Sequence, residues 1–309
     1  MESRRVDAGG DVHYVDYGGP AGAPVIVGVH GLGGSSLNWS AIAPLLTGRY
    51  RLLAPDLAGH GLTRSLGRST SVPANQALLH RFIEAVPGSP VILMGNSMGG
   101  MISLIEAGTS PASVSGLVLV DPALPFVPVR PDPMVTALFA LQATPGIGHA
   151  LMASRRRQPP EAAVAGVLNL CCADPSAVPP DVVAQHVELA RQRAAFSEVG
   201  QDFAAAMRSV IATAGYLHGQ AYRRRIRSVT CPVLLVHGSA DRLVPVAAAR
   251  AAARAHPAWS VVILPGVGHV PQLEAPRECA AAISRWLATT GLDRAQPAAR
   301  PGSGPPASV

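Results

Sequence analysis

Aromatic residues are scarce in this chain, 4% of 309 positions, and charged residues make up only 14%. So few rings exclude the aromatic stacking platforms on which single-stranded nucleic acids bind. So little charge, beside 48% hydrophobic content, excludes a chain that stays solvated and unfolded. Cysteine is also sparse. Cys171, Cys172, Cys231 and Cys279 have no metal-ligand spacing, and the adjacent first two would form a strained pair. A reduced, cytoplasmic chain without a metal site is expected. The N-terminal "MESRRVDAGGDVHYV" lacks the apolar run of a secretory signal. No uninterrupted apolar span is present either. "MVTALFALQATPGIGHALMA" at 134–153 is broken by Gln142, Pro145, Gly146, Gly148 and His149, and reads as an amphipathic or lid helix.

The net charge is +6 and the isoelectric point near 9.7, yet the positive residues are mostly arginines in short groups. "SRRRQ" at 154–158 and "YRRRIR" at 222–227 suit solvated helix faces or ends, so no nucleic-acid partner is expected.

What is present is a rhythm of buried strands. Two short alternating runs around Gly9-Gly10-Asp11 predict a hairpin. Continuous apolar runs follow at 24–30, 50–56, 90–95, 115–122, 231–238 and 260–266. Unbroken runs of that length are expected of parallel strands covered on both faces. Helix-length segments lie between most of them: "NWSAIAPLLTG", "PANQALLHRFIEAV", "MGGMISLIEAG" and "PVAAARAAARAH". The pattern predicts an α/β sheet flanked by helices. It breaks between 123 and 227, where Ala-, Leu- and Arg-rich helical segments are divided by prolines. The division expected is therefore a core of 1–122 and 228–290, a helical cap or lid of 123–227, and a Pro/Gly-rich disordered tail of 291–309.

Gly95-Asn96-Ser97-Met98-Gly99 sits between a strand run and a helix run and matches G-x-S-x-G. The central residue of such a turn takes a strained conformation, and glycine on either side lets the helix approach the strand. Such strings also arise by chance in glycine-rich chains, so the serine needs partners. A hydroxyl is a weak nucleophile unless an oriented base takes its proton. His269, in "PGVGHVPQLEAP", and Asp241, in "VHGSADRLVP", each follow an apolar run. The Ser97…Asp241…His269 order belongs to one fold in particular. "HGLGG" at 30–34 lets the Leu32 N–H join that of Met98 as an oxyanion hole. Alone, Asp241 reads as a helix cap and His269 as a surface loop residue; their order joins them into one hypothesis.

These residues resemble the α/β-hydrolase superfamily over roughly 10–290, through HGLGG (30–34), DLAGHGLTRS (56–65), GNSMGG (95–100), GSADRLVP (238–245) and GVGHVPQLEAP (266–276). The resemblance implies an eight-stranded, mostly parallel sheet with a cap inserted after "LVLVD". It makes Ser97 the nucleophile, His269 the base and Asp241 the acid, with Asp121 as a rival acid because some members use that position. Asp56, His60 and Arg64 are implied to shape a loop. GNSMGG is also similar to the elbow of carbon–carbon hydrolases of meta-cleavage products, which carry a Trp after the histidine where this chain has Val270. Epoxide hydrolases and haloalkane dehalogenases place Asp at the elbow, unlike Ser97. The expected activity is hydrolysis of a small apolar carboxylic ester by water through an acyl-enzyme, without cofactor. Leu124, Phe126, Met134 and Leu138 are the expected substrate contacts. The alternatives are carbon–carbon hydrolysis and non-hydrolytic ligand binding on the same fold.

Overall fold

The computed structural model describes residues 1–88, 90–125, 132, 137, 144, 158–215 and 219–294. Strands β1 (Glu2–Asp7) and β2 (Asp11–Gly18) form the expected antiparallel hairpin, turning at glycines 9 and 10. The apolar runs become β3 (Val25–Val29), β4 (Arg51–Pro55), β5 (Val91–Asn96), β6 (Val114–Val120), β7 (Val233–Gly238) and β8 (Ser260–Leu264). They assemble into one eight-stranded sheet in the order β1-β2-β4-β3-β5-β6-β7-β8, parallel from β4 through β8.

Successive side chains of a strand point to opposite faces, and the core divides accordingly. Val91 and Leu93 of β5, Leu117 and Leu119 of β6, and Val233 and Leu235 of β7 pack on one side. Ile92 and Met94, Val118 and Val120, and Leu234 and Val236 pack on the other. Burying each such side chain contributes roughly 1.5–3 kcal/mol, which explains why these strands read as unbroken apolar runs.

The helices are α1 (Ala43–Leu46), α2 (Val72–Ala85), α3 (Met98–Thr109), α4 (Pro160–Cys171), α5 (Pro180–Arg193), α6 (Val199–Ala214), α7 (Gly219–Arg227), α8 (Val246–Ala255), α9 (Pro271–Glu274) and α10 (Pro276–Thr290). The first core cluster includes α2 and α3 residues such as Phe82 and Ile102, and the second includes Ile283, Trp286 and Leu287 of α10. The single helix expected over 38–48 does not form. A tight turn over Ser36–Trp39, capped by Ser35 and Asn38, is followed by the one-turn α1 with Pro44 near its start. Asp56 holds the Ser36 N–H at 2.6 Å from twenty residues away, so a tertiary contact overrides local helix preference there.

Among the described residues, 158–227 hold α4 to α7 and no strand. Leu168, Cys172, Val178 and Val182 from this segment pack on Val270, at the start of α9, and on Leu273 within it. The four arginines of "YRRRIR" are exposed on α7, while Tyr222 and Ile226 on its other face are buried. All four cysteines are free. No helix among the described residues is long and apolar enough to cross a membrane.

Candidate active site

β5 runs into α3 through Ser97, whose φ of 53° and ψ of −117° lie in a region that side chains avoid. Serine at a helix N-cap ordinarily caps the helix with its own oxygen. Ser97 makes no such bond. Its backbone is held instead, the N–H by the Val120 carbonyl at 3.1 Å and the C=O by the Ala123 N–H at 3.0 Å. The hydroxyl is left half-buried, with no hydrogen bond among the described residues. The turn is possible because of its glycines. A Cβ on Gly95 would lie 2.5 Å from the Gly99 carbonyl oxygen, and one on Gly99 would lie 2.1 Å from that of Val29.

Asp241 follows β7 and His269 follows β8, and the structure brings them together. His269 Nδ1 lies 2.7 Å from Asp241 Oδ2. A carboxylate only accepts, so Nδ1 carries the proton and Nε2 is the free basic nitrogen. Asp241 Oδ1 accepts the Leu243 and Val244 N–H groups at 2.7 and 3.0 Å. Burial pushes the Asp241 carboxyl upward, but His269 and the Val244 N–H outweigh it and hold the carboxyl below its ordinary range. Both residues are buried, Asp241 at 7% and His269 at 5% exposure.

No hydrogen bond joins Ser97 Oγ to the His269 ring among the described residues. Asn96 joins their backbones: its Nδ2 donates to the Val120 carbonyl at 3.0 Å and to the His269 carbonyl at 3.1 Å. The elbow and the histidine loop are thus pinned together one residue from the hydroxyl.

The loops carrying His269 and Asp241 are also tied to the end of α4. The His269 N–H donates to the Cys171 carbonyl at 2.6 Å. Glu274 accepts the Gly268 N–H on Oε2 at 2.8 Å, and those of Ala173 and Asp174 on Oε1 at 3.0 and 2.8 Å. Arg242, next to Asp241, donates to the Asn169 and Leu170 carbonyls at 2.5 and 3.3 Å. Sequence reasoning assigned no role to Asn96, Glu274 or Arg242. Glu274 and Arg242 lie inside quoted motifs, and Asn96 is the variable position of G-x-S-x-G, so the only signal was their nearness to nominated residues.

Facing the elbow, the Leu32 N–H carries no hydrogen bond among the described residues, and the Met98 N–H, first in α3, has no partner within its helix. A Cβ on Gly33 would touch the Phe203 ring at 3.0 Å, so α6 overlies this loop. Phe203 is a further residue that sequence reasoning missed. Asp56 shapes the neighbouring loop, accepting from the Ser36 and Leu62 N–H groups and pairing with His13 at 2.7 Å. His30 Nε2 accepts the Leu57 N–H at 3.0 Å. Arg64 pairs with Glu198 at 2.7 Å, and Arg193 donates to the Gly59 and Gly61 carbonyls, joining the insertion to the same loop. Leu124 is buried in the main core cluster beside Met98. Phe126, Met134 and Leu138 lie outside the described residues.

Asp121, the rival acid, follows β6 and sits by Asp241 and His237, while the His269 ring bonds Asp241. Asp121, His237 and Asp241 place polar atoms within 4.8 Å of one another, all buried. A cation there would compete with the N–H donors that already fill Asp241, so the donor set fits hydrogen bonding better than a metal.

Known proteins with this arrangement are numerous. The Alpha/beta hydrolase family matches residues 26–282. A pimeloyl-[acyl-carrier protein] methyl ester esterase from Aromatoleum aromaticum is 30% identical over 265 residues, 84% of this chain and 96% of its own. A 2-hydroxy-6-oxo-6-(2'-aminophenyl)hexa-2,4-dienoic acid hydrolase from Metapseudomonas resinovorans is 27% identical over 92% of this chain and 90% of its own. The crystal structure of a putative lipase from Acinetobacter baumannii superposes with a TM-score of 0.76 at 25% identity, covering 95% of this chain and 93% of that one. With a sheet of this order, a strained serine after β5 and an Asp–His pair after β7 and β8, the chain belongs to the α/β-hydrolase family.

Proposed function

We propose that this protein is a serine hydrolase of carboxylic esters. The observation that carries the reading is the 2.7 Å hydrogen bond between His269 Nδ1 and Asp241 Oδ2, beside an elbow whose serine leaves its hydroxyl uncommitted. Ser97 Oγ attacks the acyl carbonyl as His269 Nε2 takes its proton, and Asp241 holds the ring in the tautomer this requires. In a resting enzyme the nucleophile–base contact is commonly long and tightens with substrate. The Leu32 and Met98 N–H groups meet the oxyanion, each worth roughly 10²–10³ in turnover. His269 then returns the proton to the leaving alcohol, and water, activated by the same ring, releases the acid. The insertion over the elbow forms the cap, and Phe203 beside Gly33 supports an apolar acyl or aromatic substrate.

A second reading, carbon–carbon hydrolysis, is favoured by the likeness to the hexadienoic acid hydrolase over 92% of the chain. One experiment separates them. Wild type and S97A are assayed on p-nitrophenyl esters of rising chain length and on a vinylogous diketone, with fluorophosphonate labelling in parallel. Ester turnover and stoichiometric labelling, both lost in S97A, are expected. Turnover retained by S97A refutes the mechanism, diketone cleavage alone selects the second reading, and labelling without turnover indicates a binding protein.

A further inference from the structure

Behind Asp241 lies a second carboxyl that the proposed reaction does not use. Asp121 is fully buried, and its φ of 42° is a conformation that aspartate tolerates better than most residues. Its Oδ1 accepts the Gly238 N–H at 2.9 Å, while Oδ2 has no hydrogen-bond partner. The two carboxyls are close enough that their polar atoms, with those of His237, fall within 4.8 Å of one another.

Two buried carboxylates at this range do not both ionise. The donors decide which keeps the proton. Asp241 receives three N–H groups, from His269, Leu243 and Val244; Asp121 receives one. His237 does not redress the difference. Its Nε2 lies 3.5 Å from Asp121 Oδ1 and 3.6 Å from Asp241 Oδ2, but it is 2.9 Å from the Val244 carbonyl, which requires the Nε2 proton. Burial first, partly offset by Asp241, holds that ring below its ordinary range and therefore neutral. Glu274 adds negative potential, and the buried Cys279 thiol, itself pushed upward, supplies no cation. Burial and then the charge of Asp241 raise the Asp121 carboxyl well above the usual range.

We propose that Asp121 is a neutral carboxylic acid that donates its O–H to the Asp241 carboxylate, and so is a positioning residue for the Asp241–His269 pair. This rests on Asp241 being the triad acid. The donated bond fills the one acceptor direction that backbone and imidazole leave open. It also spreads the Asp241 charge that faces the His269 ring.

The test compares wild type, D121N and D121A. The asparagine amide keeps a donor but cannot titrate; alanine has none. At pH 8, wild type should show the infrared carbonyl band of an un-ionised carboxylic acid, and D121N should lose it. D121A should lower kcat/KM by about tenfold or more, tenfold being the lower end of what a hydrogen bond to a charged group is worth, with D121N recovering most of that loss. D121A should also move the acid limb of the pH profile upward by on the order of one unit, because the Asp241 charge is then no longer shared. Absence of the band, or an acid limb moved downward in D121N, means that Asp121 is ionised and overturns the proposal. If D121A does not fold, the band and the D121N profile still decide. If D121N abolishes turnover while D241N does not, Asp121 is itself the triad acid, and the reading beneath the proposal fails instead.

Discussion

Replacing Asp241 by asparagine changes one oxygen to an amide nitrogen, and the surrounding donors dictate how the new side chain sits. Oδ1 of the native carboxylate accepts two backbone N–H groups, from Leu243 at 2.7 Å and Val244 at 3.0 Å, and Oδ2 accepts His269 Nδ1–H at 2.7 Å. With its amide nitrogen toward Oδ1, the asparagine would face two backbone donors, so the carbonyl takes that place. The NH₂ then points at the imidazole. Two N–H groups cannot bond each other, so His269 must turn Nδ1 into an acceptor and carry its proton on Nε2. In that tautomer the ring cannot take the Ser97 proton. The loss expected in kcat is roughly 10⁴-fold, or about 5 kcal/mol of barrier, from the known cost of the wrong tautomer in such triads. KM should change little, because the Asp241 carboxylate is buried and its hydrogen bonds go to His269 and to the Leu243 and Val244 N–H groups. Steady-state hydrolysis of a p-nitrophenyl ester, with circular dichroism to verify the fold, measures both. A folded D241N variant within tenfold of wild-type kcat would refute the argument.

Two further expectations concern the scaffold. G99A places a methyl 2.1 Å from the Val29 carbonyl oxygen and 2.5 Å from that of His30, both backbone atoms that cannot rotate away. A loss of about 3 kcal/mol or more is expected in urea unfolding, and an unchanged midpoint would show that α3 does not approach β3 so closely. The second concerns acid. Burial, reinforced by His30, pushes His60 down to about 3, and burial also lowers His30, His186 and His237. Each is neutral when folded and gains a proton more readily when unfolded. Their contribution is therefore complete above pH 6.5 and declines as pH falls below it; for His60 the loss continues toward pH 3, by up to about 1.4 kcal/mol per pH unit. Calorimetric Tm should fall steeply below pH 6 and less steeply in H60Q; a flat Tm down to pH 4 contradicts this.

The sheet was legible because each parallel strand is an unbroken apolar run, a pattern imposed by burial on both faces. The elbow was legible because its glycines are steric requirements of a helix folding back on a strand. Asp241 and His269 were legible through chain order, since each had to follow a strand at the same edge. Asn96, Glu274 and Arg242 were not, because they act on backbone carbonyls and N–H groups of distant segments, and such bonds leave no periodicity. The turn at Ser36–Trp39 escaped for a related reason. Its N–H partner, Asp56, lies twenty residues on, and nothing local foretells a capped turn in place of a helix. Both Asp121 and Asp241 follow buried strands, and the family resemblance alone favoured Asp241; in the structure the His269 ring bonds Asp241, while Asp121 accepts the Gly238 N–H.

The helical insertion does more than overlie the loop after β3. Its stretch from Asn169 to Asp174 accepts from Arg242 and the His269 N–H and donates to Glu274, which also holds the Gly268 N–H. Val270 and Leu273 are buried against Leu168, Cys172, Val178 and Val182 of the same insertion. The loop carrying the histidine is therefore packed between core and insertion, and neither alone defines its path. Each bond is worth about 1 kcal/mol, and the buried carboxylate of Glu274 would cost more if its donors were withdrawn. A displacement of the end of α4 must either break this set together or carry the His269 loop with it. On the proposed reading, the segment that admits substrate and the loop that holds the base are mechanically one unit. Alignment of Nε2 with Ser97 then depends on how the cap is seated as much as on the sheet beneath.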